Sequence, residues 1–560
     1  MFMLNVQRRR GNRITTAVWE GLNRQRALPF RRVAALSALL SGDHLTLKKR
    51  LAAEVDNGVS PRSAKTFADI ALAGDLPDLA SRFAGAMPFT DSGAAITRAK
   101  LLWYAGDLSG AIETLGAGGD RAGRLGDRYR AEADVFGSWS PTVAPVADYR
   151  PEPGVVLHLV TNSLPYTESG YAQRTHSLLR EQASAGWRVH AVTRLGYPQS
   201  IGAVGASDHD VIEGVNYHRL PATGRQGDLR ERQQQEADQF LRLVLRLRPS
   251  VLHTTTHFVN ALTVQAVAAA AGIPWIYEVR GQLADTWASK RGPEALSSER
   301  YISFQKREAE AAGAADGVIT LGEEMRRGLI LAGVDPKKVH LSPNGVGEEF
   351  LKEPGGSREL REELGLPTDG VFIGTVSSLV PYEGLEVLID AFTLVAKEQK
   401  DVKLLIVGDG ESAPALRRRA AAAGLDAVAV LPGRVPRQDA HKFHQALDIF
   451  VVPRQDQNVT RAVTPLKPVE AMACARPVVA SDLPALREIV VDSQTGFLVP
   501  PGDAQELAMV LERLVTDRLL RENLGTAGRK LALADRTWST SVEASLRLYA
   551  ETTGRGRAHD

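Results

Sequence analysis

The chain has 560 residues, enough for about three or four domains, with 44% hydrophobic and 24% charged residues, the balance of a globular protein. Its formal net charge of +2 excludes a global electrostatic footprint for nucleic acid, and no nucleic-acid partner is expected. A single cysteine excludes an internal disulfide, and no run of about 18 apolar residues offers a membrane span. That cysteine, Cys474, lies between Ala473 and Ala475 and reads as a buried structural thiol rather than a nucleophile. It suits a reducing cytoplasm. The N-terminus carries charge but no apolar h-region with a cleavage site, so no signal peptide is expected.

Residues 1–32 form a basic arm. Arg8, Arg9, Arg10, Arg13, Arg24, Arg26, Arg31 and Arg32 face one acid, Glu20, with Ile14, Val18, Trp19, Leu22 and Leu28 interleaved. An amphipathic foot on an anionic membrane, peripheral on its inner face, is the functional reading. A solvated arm is the plainer one. Residues 33–135 are rich in Ala and Leu and predict helices. Ser41-Gly42-Asp43, Ala73-Gly74-Asp75 and Ala105-Gly106-Asp107 recur at a spacing of 32. A helix-turn-helix period close to about 34 suggests a tetratricopeptide-like layer, with the glycine ending one helix and the Asp capping the next. Such a layer would recognise a protein partner or a substrate rather than carry chemistry. The stretch from Asp120 turns richer in Gly, Arg and Pro, and 136–153, with Pro141, Pro145, Pro151 and Pro153, reads as a linker.

Alternating strands and helices then predict two α/β domains, 154–341 and 342–535. In the first, VVLHLVT is a strand, followed by a polar loop holding Ser169-Gly170 and a helix over 172–185. RVHAVT is the next strand, and VIEGVNYHRL reads as a hairpin. A charged amphipathic helix covers 229–248. SVLHTTTHF carries His253 and His257, which lack metal-like spacing to a third ligand and read as hydrogen-bonded strand-end residues. The strand over 275–279 ends in EVRGQLADTW. Open α/β sheets place their sites at strand C-termini, so Glu278, Arg280 and Asp285 are candidates. The plainer reading is a set of surface charges. Pro343-Asn344-Gly345 is a turn closing this domain. In the second domain, GVFIGTVSSL and VKLLIVGDG are strands ending in small residues, with Ser377-Ser378 and the tight turn Gly408-Asp409-Gly410 at their ends. Two helices over 503–535 and a last one over 538–551 close the chain; 536–560 is the closing helix and tail.

The most informative stretch is 451–503, VVPRQDQNVTRAVTPLKPVEAMACARPVVASDLPALREIVVDSQTGFLVPPGD. A buried strand leads into a polar loop with Arg454, Arg461 and Lys467. Thr464-Pro465 starts a helix whose regular part begins near Pro468, with Lys467 at its mouth. Lys467 and Glu470, three apart, share a face. A strand feeding a helix N-terminus is where doubly wound sheets bind phosphates. A carboxylate one turn in can accept both ribose hydroxyls. The residues therefore read as a nucleotide site, with diphosphate on the basic loop and ribose on Glu470. An ordinary surface Lys–Glu pair is the alternative.

KPVEAMACARPVVASDLPALREIV and TGFLVPPGD resemble the donor-site signature of retaining glycosyltransferases of family 4, which have the GT-B fold of two facing Rossmann-like domains. The resemblance implies that Glu470 binds the donor ribose. It implies that Thr464, Ser378, Gly408 and the Gly170 loop border the donor, that Arg280 stands close to the transferred sugar, and that Asn344 lies in the crossover loop. Glu278, His257 and Asn344 are candidates for the acceptor side, and Arg280, Lys467, Arg454 and Asp285 for catalysis. Two departures stand out. Many members have a second acid eight positions before Glu470, where this chain has Ala462; the TPLKP spelling resembles a branch that lacks it. The usual phosphate-binding lysine before a helix-opening glycine is replaced by Glu383, which leaves Arg454, Arg461 and Lys467 to supply positive charge. The implied reaction moves a sugar from a UDP- or GDP-linked donor to a glycan or lipid-linked acceptor, with retention, in surface glycan synthesis. No cofactor is expected, and the sequence shows no metal-ligand cluster. A degenerate transferase fold acting as a scaffold through its helical layer, and an epimerase on the same fold, are the competing readings.

Overall fold

The structure is a computed structural model that describes residues 31–554 apart from 89–90, 117–118, 204 and 225–226. The basic arm up to residue 30 and the last six residues of the tail lie outside it. The chain divides into two compact units. The first takes the chain up to Thr167, Arg188–Tyr277 and Leu283–Ala315; the second takes Glu168–Trp187, Glu278–Gln282 and Asp316 onward.

The first unit opens with helices α1 (Arg31–Leu40), α2 (His44–Asp56), α3 (Pro61–Ala73), α4 (Pro77–Gly85), α5 (Ser92–Ala105), α6 (Leu108–Gly116) and α7 (Gly119–Phe136). Their apolar faces bury Leu47, Leu51, Phe67 and Phe83, and the two phenyl rings stack at 5.5 Å. The three Gly-Asp turns fall at the ends of α1, α3 and α5. Asp43 accepts from the Thr46 N–H at 3.0 Å and Asp107 from the Gly110 N–H at 2.8 Å, so each tethers the start of the next helix. Asp75 differs: it turns to φ +55° and accepts from the Tyr104 hydroxyl at 3.3 Å. Helix α7 runs through the start of the Gly- and Arg-rich stretch, because Ala and Leu at helical spacing outweigh its glycines; the irregular segment is 137–151.

Strand β1 (Glu152–Val160) follows, and the chain then leaves for α8 (Gly170–Ser184), which belongs to the second unit. Next come β2 (Arg188–Thr193), β3 (His209–Ile212), β4 (Val215–Arg219), α9 (Leu229–Leu247), β5 (Pro249–Thr255), α10 (Phe258–Ala271), β6 (Trp275–Val279), α11 (Leu283–Ala288) and α12 (Glu299–Ala314). The strands lie in the order β3-β4-β2-β1-β5-β6. β1 pairs in parallel with β2 and β5, β2 pairs in parallel with β4, and the hairpin strand β3 runs antiparallel to β4. Its turn residues Glu213 and Gly214 have φ +46° and +82°, the twist a two-residue hairpin loop requires.

The second unit holds the parallel pair β7 (Gly317–Thr320) and β8 (Val339–Leu341), joined through α13 (Glu323–Leu331). After α14 (Glu348–Leu351) and α15 (Ser357–Glu363) comes a strict alternation. It runs β9 (Val371–Val376), α16 (Leu385–Glu398), β10 (Val402–Val407), α17 (Ala413–Ala422), β11 (Ala429–Gly433), α18 (Ala440–Ala446) and β12 (Ile449–Val452). It continues with α19 (Asn458–Ala462), α20 (Lys467–Ala473), β13 (Val478–Ser481), α21 (Pro484–Arg487), β14 (Gly496–Val499), α22 (Ala504–Thr516), α23 (Arg518–Asp535) and α24 (Trp538–Thr553).

The six strands lie in the order β11-β10-β9-β12-β13-β14 and every pairing is parallel. This is the doubly wound Rossmann order, whose direction reverses between β9 and β12. Side chains alternate across the sheet. Ile449 and Val451 join one core with Phe392 and Leu404, while Phe450 and Val452 join the other with Met472 and Cys474. Burial pushes the Cys474 thiol up to about 12, so it stays a packed, protonated group. The two α/β folds are thus parallel-sheet and Rossmann-like, preceded by a helical region. No helix among the described residues is long and apolar enough to cross a membrane.

Candidate functional site

A cavity of about 510 Å³ opens in the second unit at the C-terminal ends of β9, β10, β11 and β12. The reversal point of a doubly wound sheet leaves a crevice there, because the helices on either side of it depart to opposite faces. Strand β9 delivers Ser377 and Ser378, β10 delivers Gly408 and Asp409, β11 delivers Arg434, and β12 delivers Arg454. Thr464, Lys467 and Glu470 line it from the approach to α20 and from the helix itself. Gly170, Tyr171 and Arg174 of α8, with Arg280 and Asn344, complete the wall. Gly384 has φ +66°, and a Cβ there would collide with the Pro453 carbonyl oxygen. That glycine lets the turn carrying Glu383 close onto the end of β12.

Two buried carboxylates organise the cations. Glu383 is 4% exposed. It accepts from Arg454 Nε at 3.2 Å and Nη2 at 3.0 Å, and Lys467 Nζ lies 3.7 Å away. Burial alone would raise its pKa, but Arg454 and Lys467 outweigh burial and hold the carboxyl down to about 2. Glu278, at 1% exposed, accepts from Arg174 Nη2 at 2.7 Å and Arg280 Nη2 at 2.5 Å. Arg174 also donates to Ser342 O at 2.7 Å and Pro343 O at 2.9 Å, so it ties α8 to the segment before Asn344. Arg280 donates to Thr175 Oγ1 at 2.5 Å.

Glu470 stands opposite a buried imidazole. His444 Nε2 lies 3.4 Å from Glu470 Oε2, and the His444 ring stacks on Phe450 with centroids 5.1 Å apart. Burial pushes the Glu470 pKa up, but His444, Arg437 and Lys467 outweigh it and hold the carboxyl below its usual range. Helix α20 is only seven residues long, so positive charge here comes from side chains rather than from an extended helix dipole.

The structure brings together Arg280, Lys467, Arg454, Glu470, Gly170, Ser378, Thr464, Gly408 and Asn344 around this cavity. It places four other sequence candidates elsewhere. Glu278 sits behind the wall as the partner of Arg174 and Arg280. Arg461 is exposed and paired with Asp456. Asp285 is on α11 in the first unit and accepts from the Tyr301 hydroxyl at 2.7 Å. His257 caps α10 by accepting from the Val259 N–H at 3.2 Å, and burial, with Arg300, lowers it to about 3. Sequence reasoning missed Arg174, Arg434, Arg437 and His444, which line the cavity. Arg174 lies one helical turn past Gly170, a spacing that would have put both at the same end of α8. No comparable signal marks His444. Among the described residues, no group of three or more His, Cys, Asp and Glu side chains could hold a metal ion.

Residues 169–345 match the family model described as glycosyl transferase 4-like domain, and residues 356–531 match glycosyl transferases group 1. These two segments are glycosyltransferase domains. A similar curated protein is the GDP-mannose-dependent alpha-(1-6)-phosphatidylinositol monomannoside mannosyltransferase of Mycolicibacterium smegmatis. It is 30% identical over 203 residues, 36% of this chain and 53% of the relative, so the match spans about half of that protein. Among solved structures, sucrose-phosphate synthase of Thermosynechococcus elongatus is similar with a TM-score of 0.59 and 21% identity, over 71% of this chain and 99% of that one. Anabaena HepE in complex with UDP-glucose is similar with a TM-score of 0.55 and 17% identity, over 72% of this chain and 99% of that one. These structural similarities carry the fold, GT-B. The transferase domains thus contain all of the cavity wall but Ser169's neighbour Glu168.

Proposed function

We propose that this chain is a retaining glycosyltransferase that moves a sugar from a UDP- or GDP-linked donor to the hydroxyl of a glycan or lipid-linked acceptor. The observation that carries the reading is one cavity lined by Glu470 and by six cations, among them Arg174, Arg280, Arg454 and Lys467. Glu470, ionised at neutral pH, accepts the ribose hydroxyls. Arg454 and Lys467 take the diphosphate, together with the N–H groups at the start of the 15-residue helix α8. Arg280 stands beside the transferred sugar.

The acceptor oxygen bonds to the anomeric carbon as the bond from that carbon to the β-phosphate oxygen breaks. The electron pair goes to the phosphate oxygen, and the acceptor proton passes to the departing diphosphate. Attack on the same face as the leaving group gives retention, as family 4 implies. The fixed cations stabilise the charge that grows on the leaving group. We assign the donor to 342–535 and the acceptor to 154–341. The helical layer is assigned to a protein partner, and the basic arm to the cytoplasmic face of an anionic membrane. The relatives support both donor nucleotides, since one is named for GDP-mannose and another was solved with UDP-glucose. A place in surface glycan synthesis completes the reading.

Calorimetric titration of uridine, guanosine and adenosine diphosphate sugars into the wild type and Glu470→Ala tests it. The expected result is binding of one nucleotide class, weakened about tenfold or more in the variant. A folded protein that binds none of them would be a scaffold on a transferase fold.

A further inference from the structure

Two carboxylates lie behind the cavity wall, and each gathers two cations that face the ligand space. Glu278 gathers Arg174 and Arg280, and Glu383 gathers Arg454 and Lys467. The four cations line the cavity and the two carboxylates do not. The Glu383 group is the more telling. Arg454 spends Nε and Nη2 on Glu383 and donates from Nη1 to Val463 O at 2.9 Å, so its guanidinium plane is fixed along three edges. Lys467 is 28% exposed at its side chain, and its ion pair with Glu383 draws it inward. The close fit of Gly384 against the Pro453 carbonyl locks the two backbone segments that carry Glu383 and Arg454.

We propose that Glu383 is a positioning residue of the donor pocket: its buried carboxylate aims Arg454 and Lys467 at one point, where they take the β-phosphate of a nucleoside diphosphate. This rests on the donor reading above. The group of two cations and one anion keeps a net charge of +1, so it still attracts phosphate. Without the anion the two cations repel each other. Lys467 then turns to water, where its pull on a phosphate is screened, and a free lysine must lose rotamer freedom again on binding. Arg454, 6% exposed, would keep a buried charge with no anion to match.

The test compares the affinity for a nucleoside diphosphate with that for its monophosphate, using the base the wild type prefers. The proteins are the wild type, Glu383→Gln, Glu383→Leu, Lys467→Ala and the double variant Glu383→Leu/Lys467→Ala. The preference for the diphosphate should fall about tenfold in Glu383→Leu and Lys467→Ala. It should fall less in Glu383→Gln, which keeps an acceptor for Arg454. The double variant should be no worse than the weaker single, because coupled residues do not add. Monophosphate affinity should stay within about twofold throughout. If Glu383→Leu does not fold, Glu383→Gln and Lys467→Ala carry the same comparison. A preference that is unchanged or raised in the folded Glu383 variants, or losses that add, would overturn the positioning role. A wild type that binds neither nucleotide would instead overturn the donor reading, and this inference with it.

Discussion

Glu383 accepts the Arg454 guanidinium on both carboxylate oxygens, Nε to Oε2 at 3.2 Å and Nη2 to Oε1 at 3.0 Å. The fork fixes the sign of an acid effect. The folded carboxyl titrates at about 2 against an ordinary value of 4.5. Its stabilisation is therefore full above the ordinary value and is lost as pH falls toward the folded one. Urea unfolding of the wild type and Glu383→Gln should show a stability difference that is constant at neutral pH. The difference should shrink by on the order of a few kcal/mol on acidification to about pH 2. A difference independent of pH would mean the carboxylate is not ionised in the fold.

Histidines set a second acid limit. Burial lowers His257 to about 3, and burial with His190 and His209 lowers His218 to about 3. Both are neutral when folded and take up a proton on unfolding below their ordinary value of 6.5. Stability is therefore lost as pH falls from that value toward 3. Replacing either by Gln should flatten the wild type's stability profile across this range; an unaltered slope would show that neither imidazole is held neutral.

The His444 ring is held between Phe450 and Phe350, with centroids 5.1 Å and 5.8 Å away, and points Nε2 at Glu470. His444→Phe keeps the packing and removes the polar partner. If Glu470 holds the ribose as proposed, nucleotide affinity should fall about tenfold, equally for mono- and diphosphates. A loss confined to diphosphates would place Glu470 elsewhere on the ligand.

Helix α13 opens on Gly322, which offers no side-chain cap. Glu488 supplies one from α21's far end, accepting from the Glu323 and Glu324 N–H groups at 2.8 Å and 2.9 Å. Glu488→Ala should cost about 1–2 kcal/mol in denaturant unfolding, and Glu488→Gln less than half of that. Equal losses would point to packing rather than to capping.

Gly384→Ala should be the most damaging of these changes, at about 2–4 kcal/mol, because it combines a positive φ with a collision against the Pro453 carbonyl. Thermal melting measures the loss. Gly272→Ala, with φ +65° and open space at its Cβ position, is the control that carries the strain alone.

Much of the fold was legible because apolar runs and turn residues agree. Strands over 188–193 and 275–279 fall where the patterns put them, since each is a short run bounded by polar or small residues. Helix α19 was read as loop: NVTRA is a single turn without periodicity, and a Gln457–Thr460 capping box holds it. In the site, Glu470 and Lys467 were visible because spacing on one helix shows which side chains share a face. Arg174, Arg434 and His444 were not, since only strand order brings their elements to one cavity. Asp285 was drawn in by a true rule about strand ends applied past the strand itself. The pairing of Glu383 with Arg454 and Lys467 was invisible for another reason: an acid where a lysine is usual looks like a loss until its partners are seen in space.

The last helix has a consequence for the order in which the molecule can be made. Gln182 of α8 donates to Ser545 Oγ at 3.2 Å and Tyr549 Oη at 3.1 Å, and the Arg174 guanidinium lies 5.7 Å from the centre of the Trp538 ring. A wall of the cavity written near residue 174 is thus braced by side chains more than 360 residues downstream. A ribosome releases the braced part long before its brace. Until residues 538–553 emerge, Gln182 and Arg174 of α8 lack these partners, and a chain stopped just before Trp538 would carry every cavity-lining residue without the helix that braces α8.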